Sequence, residues 1–243
     1  VRAGADAVLG PADVVLRGDR DAVLRKPSGL SSEAPGGSRG GPATLLVQAQ
    51  ALLGWPDARL PHRLDRPTRG FVVVARDAAA VAELNAAVRG GAWRKRYLAR
   101  IAPAAGGAGA RTAARPDPAA LLGEHSAYLR REGRTARVVR SGGDPSQLAV
   151  DAVAAAPGRP GEFHAAVTLG TGRFHQVRAM LAGLGWPLVG DTDYGGRPGP
   201  LWLEHASLRY VPLGATEPVH LFERGDPVRE RVDPAVLDAL GAD

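Results

Sequence analysis

Apolar positions along the chain fall into short β-branched runs and a few stripes at helical spacing. Val14-Val15-Leu16 and Ala22-Val23-Leu24 flank Gly18-Asp19-Arg20-Asp21, which predicts a hairpin. The second run leads into Lys26-Pro27-Ser28-Gly29-Leu30, a stiff turn, and residues 31–42, rich in Gly, Ser and Pro, are expected to form a mobile loop. Thr44 is placed to cap a helix through Leu53, with Leu45, Leu46, Ala49, Leu52 and Leu53 on one face and Gly54 as its stop. Phe71-Val72-Val73-Val74-Ala75 is short, β-branched and preceded by Pro67 and Gly70, so it predicts a buried strand. Asp77 is a good cap for a helix through Val88, with Val81, Leu84 and Val88 inward and Gly90-Gly91 as the stop. In residues 93–101, Trp93, Lys95, Tyr97, Ala99 and Ile101 alternate with mostly Arg, which predicts a strand with one solvent face.

Residues 103–118, low in complexity and rich in Ala, Gly and Pro, are expected to be a loop inside one domain spanning residues 1–243. Strands are expected at 135–139, 148–154 and 162–169, with turns at 141–145 and 157–161. The last strand meets Gly170-Thr171-Gly172-Arg173, and Thr171 can cap a helix reaching Leu184 with Val177, Leu181 and Leu184 as its apolar stripe. A strand, a glycine turn and a helix start make a natural anion site, with Arg173 beside it. Residues 186–196 form a loop, residues 201–210 and 219–222 late strands, and Asp233-Pro234 opens a short terminal helix.

Composition narrows the chemistry. The 243 residues suffice for a sizeable core, and no apolar run approaches the ~20 residues of a membrane-spanning helix. The absence of Cys removes disulfides, thiolate zinc sites and Cys nucleophiles, and fits a cytoplasmic location. The net charge of +6 rests almost wholly on Arg, since Lys26 and Lys95 are the only lysines, and it points to a polyanionic partner. Aromatic residues, at 5%, are too few for a broad base-stacking platform. The spacings of His62, His164, His175 and His205 match no zinc pattern.

One carboxylate stands out. Asp65 sits between Arg63 and Arg66, with Pro67 stiffening the turn just before the predicted 71–75 strand. Cations on both sides favour its ionised form, and a fixed, ionised carboxylate at a strand end is a candidate nucleophile. Taken alone, the same residues also describe a salt-bridged loop Asp.

Five segments, in order, resemble the RluA-type RNA pseudouridine synthases. They are Lys26-Pro27-Ser28-Gly29-Leu30; His62-Arg63-Leu64-Asp65 with Thr68 and Gly70; Lys95-Arg96-Tyr97-Leu98; Thr171-Gly172-Arg173-Phe174-His175-Gln176-Val177-Arg178; and Pro187-Leu188-Val189-Gly190-Asp191 with Tyr194-Gly195. The resemblance implies an α+β fold: a single mixed, largely antiparallel sheet flanked by helices, with a central RNA-binding cleft. It implies isomerisation of uridine within rRNA or tRNA, with no cofactor or metal, by a protein that is generally monomeric. By the same resemblance Asp65 is the nucleophile, whether on the sugar or on the uracil ring. Tyr97 stacks on the target base and is a candidate for proton removal, and Arg178 pairs with Asp65. Leu203 walls the base pocket, and Arg63 fills the gap left by the flipped base. Arg173, His175 and Gln176 belong to the substrate-binding segment. The chemistry of each residue type fits its role, since a carboxylate is a good covalent anchor for a sugar and an aromatic ring can hold an unstacked base.

There are departures from the family pattern. Arg69 stands where Ser is usual, Glu204 where His is common, Val211-Pro212 where a His-Pro pair is usual, and Gly185-Trp186-Pro187 in place of Gly-His-Pro. No small RNA-binding domain precedes Lys26, so a bare catalytic domain is expected. The alternative is a catalytically inactive RNA-binding or ribosome-assembly protein that uses the same fold.

Overall fold

In the computed structural model, residues 7–34, 44–104, 117–223 and 231–242 are described. The expected loops at 31–42 and 103–118 fall mostly outside them. The chain divides into two units: Val1–Arg94 with Leu208–Leu221, and Lys95–Ser207 with Phe222–Asp243.

In the first unit the predicted hairpin forms as β1 (Val14–Arg17) and β2 (Asp21–Lys26). β2 pairs antiparallel with β3 (Arg69–Ala75), Val23 lying opposite Val73. Helix α1 (Leu45–Leu53) starts where Thr44 Oγ1 accepts the Val47 N–H and stops at Gly54, whose φ of 69° no β-carbon favours. Helix α2 (Ala78–Arg89) starts at Asp77, whose carboxylate accepts the Ala80 N–H at 2.8 Å. Ala80 and Leu84 close over Val23, Phe71, Val73, Trp93, Leu208 and Tyr210, and Val81 and Val88 pack at the margin of that core. A carboxylate lies in this apolar setting: Asp21 accepts the Tyr210 hydroxyl at 2.7 Å and the Leu213 N–H at 3.0 Å. Those bonds offset part of its desolvation, which nevertheless pushes its pKa up.

The second unit is built on β4 (Arg94–Ile101), which pairs antiparallel with β8 (Phe163–Leu169). From β8 the order continues through β7 (Asp144–Ala155) and β5 (Gly123–Glu132) to β6 (Thr135–Val139), each pairing antiparallel. Strand β9 (Leu203–Tyr210) gives residues 203–207 to this unit and 208–210 to the first, and β10 (Val219–Phe222) pairs with β9. Helix α4 (Pro234–Gly241), capped by Asp233, buries Val236 and Leu240 against Leu98, Ala166 and Ala206.

Four expectations change in this unit. The arginine face of β4 is not a solvent face, because Arg96 and Arg100 are buried. Arg100 pairs with Glu162 at 3.1 Å, and Arg96 donates to the carbonyls of Leu240 and Ala242 at the end of α4. Alternation records which residues share a face, not what covers it. Strand β5 was not expected, because only Leu129 of its ten residues is buried and no apolar alternation marks it. β7 begins at Asp144, four residues before the first apolar position of the expected strand, through its pairing with β5. The third helix, α3 (Gln176–Gly183), begins five residues after Thr171. Instead of capping it, the Thr171 hydroxyl accepts the Gln147 N–H at 3.0 Å and donates to Gln176 Oε1 at 2.7 Å, tying the turn to β7. Among the described residues no helix is long and apolar enough to cross a membrane.

Candidate active site

Asp65 lies in an irregular segment ahead of β3, and its neighbours' backbone holds that segment. Ser32 Oγ donates to the Leu64 carbonyl at 2.7 Å and accepts the Leu64 N–H at 3.2 Å. Ser28 Oγ donates to the Pro67 carbonyl at 2.7 Å. Gly29 N–H donates to the Arg66 carbonyl at 2.8 Å, and Arg66 Nε returns a bond to the Gly29 carbonyl at 2.9 Å. Asp65 itself accepts the Thr68 N–H on its carbonyl at 3.0 Å, closing the turn into β3. The Lys26-Pro27-Ser28-Gly29-Leu30 turn is thus the clamp on the His62-Arg63-Leu64-Asp65 segment, which gives a physical reason for the two motifs to occur together.

Lys26 is the strongest part of that clamp. Its side chain is fully buried, and Nζ donates to the carbonyls of Pro27, Leu30 and Arg66 at 3.0, 2.7 and 3.1 Å. Burial pushes its pKa down to about 7, against the pull of the nearby Asp65 carboxylate. On the other side of the segment, His62 Nε2 accepts the Val73 N–H at 3.0 Å, and its ring meets Trp93 edge-on at 5.4 Å. Arg63 is exposed, and among the described residues it makes a long contact of 3.8 Å to Glu33.

In the second unit Arg178 projects from the first turn of α3 and is held through its own side chain. Nε and Nη2 donate to Asp191 at 2.7 Å each, as a fork on one carboxylate, and Nη2 also reaches Asp193 at 3.1 Å. The Arg178 and Asp191 side chains are 5% and 1% exposed, so this pair is shielded from water and salt. Nη1 faces the His175 ring, 2.9 Å from Nε2. Burial first, and then the Arg178 cation, pulls the His175 pKa down to about 4, so the imidazole is neutral at pH 7. His175 Nδ1 lies 3.0 Å from the Tyr194 hydroxyl, which accepts the Ala136 N–H of β6 at 2.7 Å. His175 also carries a left-handed backbone, φ 52°, at the N-terminus of α3.

The remaining expected site residues of this unit divide by what they touch. Gln176 is buried: Oε1 accepts the Arg173 N–H and the Thr171 hydroxyl, and Nε2 donates to the Gln147 carbonyl. Its amide braces the turn that the sequence marks as an anion site. Arg173 is exposed and donates to the Pro145 carbonyl at 3.3 Å. Tyr97, opposite Val167 in β4, is buried with one ring face stacked on His205 at 4.8 Å and 17°. Leu203 opens β9 and is buried. Glu204, one of the departures, is buried beside it.

Sequence reasoning left several of these residues without a role: Lys26, Ser32, His62, Asp191, Asp193, Tyr194 and His205. Lys26, His62, Asp191 and Tyr194 stand inside the quoted motifs, which mark their places but not their contacts. Ser32 and His205 carry no sequence signal. The first unit offers a carboxylate on a clamped segment and an exposed arginine, and the second a forked guanidinium, a Tyr ring stacked on His205 and an exposed arginine. Among the described residues no group of His, Asp and Glu is placed to hold a metal ion.

Comparison with known proteins identifies the family. Residues 22–183 match the family description "RNA pseudouridylate synthase". The chain belongs to that family. Within it, the relatives are of the RluA type: it is 31% identical over 184 residues to the "Dual-specificity RNA pseudouridine synthase RluA" of Escherichia coli (strain K12), covering 74% of this chain and 76% of the relative. It is 29% identical over 187 residues to the "Ribosomal large subunit pseudouridine synthase D" of Pseudomonas aeruginosa, covering 76% and 54%. The chain therefore spans about half the length of the synthase D relatives it matches. The solved structure of "Human RNA Pseudouridylate Synthase Domain Containing 1" superposes with a TM-score of 0.64 at 24% identity, over 91% of this chain and 87% of that one. The fold is the α+β fold of the pseudouridine synthases.

Proposed function

We propose that this protein is an RNA pseudouridine synthase that isomerises specific uridines in rRNA or tRNA, and that residues 1–243 act as one catalytic domain. The observation that carries this reading is the clamp on Asp65. In a chain of this family, the motif turn at Lys26–Leu30 fixes the backbone on both sides of the acid that the second motif supplies.

In the proposed reaction the N1–C1′ bond of uridine breaks and a C5–C1′ bond forms. The C5 hydrogen leaves as a proton, and N1 regains one, so product and substrate are isomers. Asp65 is the nucleophile that anchors one fragment while the base turns; attack on C1′ and attack on the uracil ring both fit a fixed, ionised carboxylate. Arg178, held in orientation by Asp191, pairs with Asp65 and keeps it ionised. Flipping the base costs a few kcal/mol, and stacking on the Tyr97 ring recovers about 1–3 kcal/mol of it. Tyr97 is also the candidate proton acceptor. Leu203 walls the base, and Arg63 takes its place in the stack. Arg173 and His175 contact the substrate, and Gln176 braces the turn that carries them. The reading requires no cofactor and describes a monomer acting in the cytoplasm.

The test is to incubate purified wild-type protein and Asp65→Asn with rRNA and tRNA, digest to nucleosides and quantify pseudouridine. Formation by the wild type and loss in the variant is expected. Equal formation by both rejects Asp65 as nucleophile. RNA binding without formation by the wild type supports the inactive RNA-binding alternative.

A further inference from the structure

Strand β5, which no apolar alternation marks, forms a hairpin with the expected 135–139 strand β6, and this hairpin presents one face to solvent. Strand register places Tyr128 opposite Val139 and Arg130 opposite Arg137, so these four share a face. The other face carries Leu129, which is buried, and Arg131, whose guanidinium lies 4.5 Å from the Phe174 ring. Tyr128 is 48% exposed, and the Arg130 and Arg137 side chains are 56% and 73% exposed.

Two features of this face are not explained by folding. A large aromatic ring lies open on a strand that is otherwise polar. Two arginines also stand directly opposite one another across the hairpin, a pairing that destabilises a sheet. Glu132 bridges them, accepting from Arg130 Nη2 at 3.0 Å and forming an ion pair with Arg137 Nε at 3.1 Å. Exposed ion pairs of this kind add little stability, but they do aim two planar guanidinia from one surface. On the far side of Tyr128 its register partner in β7 is Pro145, whose carbonyl accepts from Arg173 Nε.

We propose that this face is an RNA-binding surface. Tyr128 stacks on an unpaired base, and Arg130 and Arg137 hold the phosphates beside it. The chemistry is that of single-strand recognition: a sequence-tolerant π-face for the base and forked donors for the backbone. One ring suffices here, where the low aromatic content spoke only against a broad platform. An RNA occupant follows from the proposed function, on which this inference rests, and from the charge of the face. A protein occupant would find little apolar area to bury around a single ring. The surface holds a single-stranded part of the substrate RNA and so contributes to substrate preference.

The test uses the full chain and a fluorescein-labelled single-stranded uridine 20-mer, with anisotropy titrations at several salt concentrations. Tyr128→Ala is expected to weaken binding about 5- to 100-fold, and Tyr128→Phe to bind as the wild type does. Replacing both Arg130 and Arg137 by Gln is expected to flatten the slope of log affinity against log salt by about 1.4, two single-strand phosphate contacts. Wild-type affinity and slope in both variants overturn the proposal. So does loss of binding to ribosomal particles with unchanged affinity for the 20-mer, which assigns the face to a protein. Pseudouridine formation by the wild type is scored separately: its absence rejects the catalytic reading, whereas its presence with unaltered binding in the variants rejects this surface alone.

Discussion

The protein positions its two principal charged groups by opposite means. In the first unit the segment bearing Asp65 is gripped through backbone: Ser32 on Leu64, Gly29 and Lys26 on Arg66, Ser28 on Pro67. In the second unit Arg178 is gripped through its own guanidinium by Asp191 and Asp193. The bonds of the Asp65 clamp fall on the backbone of its neighbours, which suits the nucleophilic role proposed for Asp65. In the orienting role proposed for it, Arg178 can be locked directly, through forked, charge-assisted bonds to a carboxylate.

Breaking each grip should therefore have a different signature. The largest expected effect is on the Arg178 lock. Asp191→Ala takes the forked carboxylate away from a buried guanidinium, leaving it Asp193, and should cost up to about 3–5 kcal/mol of stability, measured by urea unfolding. Replacing both partners together, Arg178→Met with Asp191→Leu, should recover most of that stability but no pseudouridine formation, because apolar groups can fill the site but cannot supply the charge. Recovery of activity in the double variant would remove Arg178 from the mechanism.

Next in size is the backbone grip. Ser32→Ala leaves the buried Leu64 N–H and carbonyl without the hydroxyl, an expected loss of about 1–3 kcal/mol. Turnover should fall more than RNA affinity, since the segment that loosens carries the nucleophile. An unchanged ratio of turnover to affinity would make the Ser32 bond purely structural.

The smallest effect is a pH dependence. The His175 pKa is lowered in the folded state to about 4 from an ordinary value near 6.5. Between those values the unfolded chain binds the extra proton and the folded protein does not, so stability falls as pH drops from about 6.5 to about 4. His175→Asn keeps a residue tolerant of the left-handed backbone and removes the titration. Its melting temperature should vary less with pH across that window than the wild type's does.

These contrasts also separate what could be read from the chain from what could not. Thr44, Asp77, Gly54 and Asp233 mark helix ends by local chemistry, and α1, α2 and α4 end where those residues stand. Thr171 carries the same signal but spends its hydroxyl on Gln147 and Gln176, partners that only the folded chain brings near. The β4 arginines follow the strand period, yet Glu162 and the end of α4 bury them. Of the candidate site, Asp65, Tyr97 and Arg178 are the residues that the motifs single out. The residues that hold them are less legible: Asp191 lies 13 positions from Arg178, and Ser32 lies 32 from Leu64. Their roles exist only as contacts.

Asp65 is the residue proposed to carry the chemistry. RNA tritiated at C5 of uridine reports it directly, because forming the C5–C1′ bond sends that hydrogen to water. In single-turnover reactions with saturating enzyme, the wild type should release tritium, and Asp65→Asn should release it at least about 10³-fold more slowly while melting at the same temperature and binding the RNA as tightly. Release by Asp65→Asn at the wild-type rate would contradict the account.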